Sequence, residues 1–169
     1  MDKQHFAQLY TFNDWANRQV WACVMQLDDA AFRQELDYSI GSIFIQMVHT
    51  MGVEYWWLHY LRTGEAKFLN PDDFPDRTSI RTRWDEIDAV NRAYIATLTP
   101  DELAREVRPA WWEEGKRAIT VREALTQVAL HSMDHRAQTL AMLHKLGAPT
   151  VGQDFLRFLH DPQPEPDGF

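Results

Sequence analysis

Two histidines four residues apart, His131 and His135, lie in the stretch TVREALTQVALHSMDHRAQTLAMLHKL, residues 120–146. Thr120 with Glu123 three residues on is a capping-box start, and Gly147 followed by Pro149 is a matching stop. The spacing therefore predicts about seven turns of helix. At roughly 100° per residue, side chains four apart lie one above the other. Both imidazoles share a face with Ala124, Val128, Met142 and Leu146, and Gln138 is the polar exception. An imidazole turned toward a core needs a partner. A neighbouring carbonyl is one; a divalent metal ion, for which neutral imidazole is the commonest protein ligand, is another. A third histidine, His49, falls in a second helical stretch, with Ile45, Val53, Trp56 and Tyr60 within about 40° of it on the wheel. Three inward histidines on two helices point to an ion more than two on one helix do. The others do not join them: His144 is about 180° from His135, His59 is about 80° off the His49 stripe, and His5 and His160 lie near the chain ends. Glu54, about 140° from His49, reads as a helix-surface or interhelical group rather than a ligand.

The elements that must position these residues follow from periodicity and caps. Residues 2–27 form one long helix, with Phe6, Leu9, Val20, Val24 and Leu27 on one face. Asn13 and Asn17 share that face, so their amides must be satisfied by backbone across a bundle or by a ligand in a polar cavity. LDDAAFRQEL is a short helix opened by Asp28 or Asp29. Ser42 caps the second long helix, which reaches about Arg62 and stops at Thr63 and Gly64. The fourteen residues Glu65 to Thr78, rich in proline and aspartate, form a loop. That is long for a simple antiparallel connection and fits a crossover to a parallel or non-adjacent helix. Ser79 to Leu98 is the third long helix, with Trp84, Ile87, Tyr94 and Leu98 as its stripe and the acidic and basic residues between them as a solvated face. TPDELAREV is a short capped helix, and VRPAWWEEGKRAIT, around Glu114-Gly115, a hairpin or extended excursion. Trp56, Trp57, Trp111 and Trp112 pack the core and its rim, with a lid or dimer contact as a second reading. VGQDFLRFLHD adds a last short helix, giving one domain over residues 1–160 and a mobile tail over 161–169.

Composition narrows the classes. The 169 residues carry 17 Lys plus Arg against 25 Asp plus Glu, a net charge of −8 with no basic cluster, which argues against nucleic acid as a partner. No run of about 18 apolar residues could cross a membrane. The polar start MDKQHFAQLY joins directly onto a helical pattern, unlike a signal peptide. Cys23, the only cysteine, excludes an internal disulfide, reads as core filler and suits a reducing cytoplasm. No glycine-rich phosphate loop and no serine-elbow motif is found.

In order, YTFNDWAN, SIGSIFIQMVHTMGVEYWW and HSMDHRAQTLAMLHKLGAP resemble the DinB/YfiT-like family of metalloenzymes, over roughly Leu9 to Asp154. The final motif is the most specific part, although Ala137 stands where the family's HRGQ run usually has glycine. The resemblance implies an all-α four-helix bundle with one long crossover, in up-down-down-up order and often dimeric. It also implies a single divalent ion, Zn²⁺ or Ni²⁺ first among the candidates, held by His49, His131 and His135. Its better characterised members use a small thiol, mycothiol, bacillithiol or glutathione, in transferase and isomerase reactions on small molecules. Tyr10, Asn13, Asn17 and Gln138 are the candidates for the pocket wall or for groups that support the ligands. Arg136 reads as a structural ion pair or interface group. Metal-assisted hydrolysis is the alternative enzymatic reading. A non-catalytic, stress-associated dimeric bundle with a structural metal site is the third, kept open because Asp134 lies about 60° from His131 and about 100° from His135 and so offers no obvious general base.

Overall fold

The computed structural model describes residues 2–110 and 112–160. Each long helix begins where a side chain satisfies its free N–H groups. Asp2 caps α1 (Lys3–Val24), Ser42 caps α3 (Ile43–Thr63), and reciprocal capping boxes open α4 (Arg77–Thr97, Asp76 with Ser79) and α6 (Val121–Lys145, Thr120 with Glu123). Ser79, expected as the start of the third long helix, is instead the far member of the box that Asp76 opens. Short helices α2 (Asp29–Arg33), α5 (Pro100–Ala104) and α7 (Phe155–His160) complete the set. Gly64, at φ 77°, ends α3 in the left-handed conformation that glycine adopts without steric cost. Before α6, β1 (Glu106–Val107) pairs antiparallel with β2 (Ile119–Thr120), so the expected hairpin is two short strands joined by a long excursion. Trp111 and the expected tail, residues 161–169, lie outside the described residues.

Two apolar clusters reveal the topology. One joins the end of α1 (Val20, Val24), the start of α3 (Ile43, Met47), the start of α4 (Ile80, Trp84) and the end of α6 (Met142, Leu143). The other joins the start of α1 (Phe6, Tyr10), the end of α3 (Trp57, Leu58), the end of α4 (Ile95) and the start of α6 (Val121, Leu125). Helices α3 and α4 therefore run in parallel, opposite to α1 and α6, which is the up-down-down-up order. The loop after α3 makes this possible: Phe74 packs back into the first cluster, beside the residues that start α3.

Between the clusters the bundle is polar. Asn13, Asn17, Glu54, Asp88, Asn91, Ser132 and Arg136 are all buried there. The charges of α4 are thus not all a solvated face, because Arg81 and Asp88 turn inward. Asp88 Oδ2 lies 3.7 Å from Arg81 Nη2 and has no hydrogen-bond donor. Burial, then the charges of Glu54 and Asp14, hold its carboxyl well above the usual carboxylate range. A folded pKa raised above the unfolded one favours folding below the unfolded value and costs stability as pH rises toward the folded value. Asp88→Asn should accordingly be more stable than the parent at pH 8, with the gap closing as pH falls toward 4. Denaturation midpoints at the two pH values check this, and a gap that does not change with pH would refute it.

Candidate metal centre

His49 comes from the middle of α3, and His131 and His135 come from successive turns of α6. The two helices pack side by side, and the three rings meet at the level of the polar layer. Ring centroids are 5.2 Å apart for His49–His131, 4.6 Å for His49–His135 and 4.2 Å for His131–His135. One ligand atom from each falls within 4.8 Å of the others, and His49 Nε2 lies 3.3 Å from His131 Nε2. A tetrahedral centre with bonds of ~2.0–2.1 Å separates its ligand atoms by about 3.3 Å. The donor set, three imidazole nitrogens, fits a divalent transition-metal ion. All three rings are shifted toward the neutral form. Burial, reinforced by His135 and His49, pushes His131 down to about 4; burial lowers His135 and His49 too, with His49 adding to the effect at His135. A neutral imidazole is the form that can offer a lone pair.

The stripe containing His49 is less buried than its wheel suggests. Ile45, Val53, Trp56 and Tyr60 are half-buried, while the fully covered side of α3 is the one carrying Ile43, Met51 and Leu58. Helix α3 contacts α4 as well as α6, so its deepest face points between them. His135 is buried, and His49 and His131 are partly open. The cluster therefore sits at the edge of the core, with one side facing solvent.

A residue that the periodicity did not single out orients the buried histidine. Gln46, fully buried on α3, has its Oε1 3.2 Å from His135 Nδ1. Its amide nitrogen already donates to Gln138 Oε1 at 2.8 Å and to Ser39 Oγ at 3.2 Å. The carbonyl end must then accept the Nδ1 proton of His135, which leaves Nε2 as the lone-pair nitrogen. Ser39 also hydrogen-bonds Gln138 Oε1 and holds a left-handed backbone at φ 54°, uncommon without glycine. Gln138 thus reaches the cluster through Gln46, and its own Nε2 donates to Asp134 Oδ2 at 3.0 Å.

Asn13 and Asn17 do not touch the histidines. Asn13 Nδ2 donates to Glu54 Oε1 at 2.6 Å, and Asn17 Nδ2 reaches the same oxygen at 3.5 Å. Ser132 Oγ donates to it at 2.6 Å, and Trp84 Nε1 donates to Glu54 Oε2 at 2.9 Å. On the other side the two asparagine carbonyls accept from Arg136 Nη1, at 3.2 Å for Asn17, while Arg136 Nε donates to Gln153 Oε1 at 2.7 Å. Arg136 is structural, as expected, but paired through the asparagines rather than directly with a carboxylate. Burial pulls it down to about 10, with the charge of Glu54 opposing. Tyr10 lies apart from both groups: its hydroxyl donates to Leu125 O at 3.1 Å in the second apolar cluster. Cys23 is buried, and burial pushes its thiol up, away from reactivity. Among the described residues no helix is long and apolar enough to cross a membrane.

The model of the DinB family matches residues 1–167. Protein DinB of Bacillus subtilis (strain 168) is 24% identical over 158 residues, covering 90% of this chain and 92% of that protein. Among solved structures, YfiT from Bacillus subtilis superposes with a TM-score of 0.66 at 16% identity, over 87% of this chain and 90% of its own. It is described as a "probable metal-dependent hydrolase with an unusual four-helix bundle topology". A DinB family member from Shewanella denitrificans gives a TM-score of 0.61 at 13% identity, over 96% of this chain and 93% of its own. With the family pattern spanning nearly every residue and the up-down-down-up bundle beneath it, the chain belongs to the DinB family.

Proposed function

We propose that this chain is a divalent-metal-dependent enzyme that transfers a small thiol to an electrophilic small molecule, with His49, His131 and His135 as the metal ligands. The observation that supports it is the make-up of the cluster: three neutral nitrogen donors within 4.8 Å and, among the described residues, no carboxylate or thiol joined to them. A divalent ion held by uncharged ligands keeps its full positive charge and favours the ionised form of a thiol or water beside it. A thiol, with an ordinary pKa near 8.5, needs little such help near neutral pH and no protein base. Hydrolysis asks for a proton acceptor, and Asp134, the carboxylate whose charge is felt at His131 and His135, is already engaged by Gln138. Gln46 holds His135 in one tautomer, while His49 and His131 leave the solvent side of the site open to substrate.

Metal-assisted hydrolysis is the second reading, favoured by the fold shared with YfiT. The two separate in one assay. Protein loaded with Zn²⁺ or Ni²⁺ is given an electrophilic substrate, with and without mycothiol, bacillithiol or glutathione, and again with chelator. Turnover that depends on both thiol and metal is expected. Turnover indifferent to thiol would favour hydrolysis, and turnover indifferent to chelator would end both readings.

Gln46→Ala should leave the ligands in place yet weaken metal binding by about 10–100-fold, the usual loss when a group supporting a ligand is removed. Titration against a competing chelator measures it, and unchanged affinity would show that His135 does not depend on this contact.

A further inference from the structure

The open side of the histidine cluster faces two cavities that share a wall. One, of about 640 Å³, is bounded by Val53, Trp56, Trp57, Trp112 and Ile119 and reaches His131. The other, of about 250 Å³, is bounded by Val48, Val53, Trp56, Phe68 and Leu69 and reaches His49. Val53 and Trp56 belong to both, so each cavity brings a different histidine to the same pair of side chains.

The walls are aromatic and closely arranged. Trp56 and Trp57 stack with centroids 4.4 Å apart, Trp112 meets Trp57 edge-on at 6.2 Å, and Phe68 lies 5.9 Å from Trp56. Phe68 is 62% exposed although it sits in a loop whose neighbour Leu69 is drawn into the core. An exposed ring completing an aromatic wall beside a reactive centre is the kind of apolar surface that marks a ligand site. Charge at the far end is cancelled locally: Arg117 pairs with Glu123 at 2.7 Å and Lys116 with Glu113 at 3.4 Å. Away from the histidines, the groove's own side chains thus offer stacking faces and no unpaired charge to a charged ligand.

Building on the metal-enzyme reading, we propose that this groove selects the substrate: it binds the non-reacting body of the molecule, and that body is an uncharged, planar, apolar group of one or two fused aromatic rings. The reacting end then reaches the histidines beside Trp56. Flat rings gain most from indole faces because burial and stacking add.

Three probes separate the groove from the ion. Acetohydroxamate, a small chelating head, reports on the metal alone; 2-naphthamide, which has the rings and no such head, reports on the groove alone; 2-naphthohydroxamate carries both. With Zn²⁺-loaded protein, 2-naphthohydroxamate should bind at least tenfold tighter than acetohydroxamate. 2-Naphthamide should bind loaded and metal-free protein alike. Trp56→Ala, and Phe68→Ala at an exposed position that should not disturb folding, should each remove most of the naphthyl advantage. Equal binding of the two hydroxamates with no binding of 2-naphthamide overturns the groove proposal and leaves the metal reading standing. Phe68-dependent binding of 2-naphthamide without any binding of acetohydroxamate supports the groove and removes the metal reading. Tighter binding of 2-naphthoate than of 2-naphthamide to the metal-free protein, where no ion can hold the carboxylate, would overturn the assignment of an uncharged body.

Discussion

Glu54→Ala is expected to cost about 3–5 kcal/mol of folding stability, the usual loss when one partner of a buried charged network is removed. Glu54 is 2% exposed and accepts from four side chains on three other helices: Asn13 and Asn17 of α1, Trp84 of α4 and Ser132 of α6. Alanine would strand the Asn17, Trp84 and Ser132 donors in the bundle centre and leave Asn13 only its longer bond to Ser132 Oγ, at 3.3 Å. It would also remove the negative charge that balances Arg136, itself buried and already drawn down toward deprotonation by its surroundings. Glu54→Gln should fall between alanine and the parent, because the amide keeps the shape but turns an N–H₂ toward donors and leaves the guanidinium uncompensated. The test is urea unfolding, where the midpoint should drop with the slope unchanged. A loss of less than about 1 kcal/mol for alanine would mean the network has no net value to the fold.

The double substitution His131→Ala, His135→Ala is expected to remove the metal entirely, from about one ion per chain to a background level. Those two rings come from adjacent turns of one helix and are 4.2 Å apart, so together they supply two of the three donors at a single location. His49 alone cannot hold a divalent ion against water, since a lone imidazole lacks the converging donors that set affinity. Elemental analysis of protein purified without chelator, with circular dichroism to confirm the helices, decides the matter. Stoichiometric metal in the double variant would refute the ligand assignment.

The histidines were legible because an i, i+4 pair and a matching position on a second stripe depend only on helix geometry, which a sequence carries in full. Helix boundaries were legible for the same local reason, with Asp76 missed because Ser79, its partner in the box, looks like a cap itself. What periodicity could not convey was how the four helices face one another. Gln46 sits one turn before His49 and was passed over, since its bond to His135 exists only once α3 and α6 are side by side. Glu54 was read as a helix-surface or interhelical group from its angle to His49, and the structure supports the interhelical half of that reading. Its angle could not show that the opposite side of α3 is the true centre of the bundle. Asp88 was misplaced for a related reason: on a helix rich in charges, nothing local distinguishes the few that turn inward.

The position of α6 in the chain has a consequence for biogenesis. At a synthesis rate of roughly 5–20 residues per second, His49 leaves the ribosome many seconds before the segment that carries its two companions. Until then Glu54 lacks Ser132, the asparagines lack Arg136, and Gln46 lacks both His135 and Gln138. The nascent chain must therefore carry a half-built polar interior in water, and the three histidines come together only once the last long helix has been made.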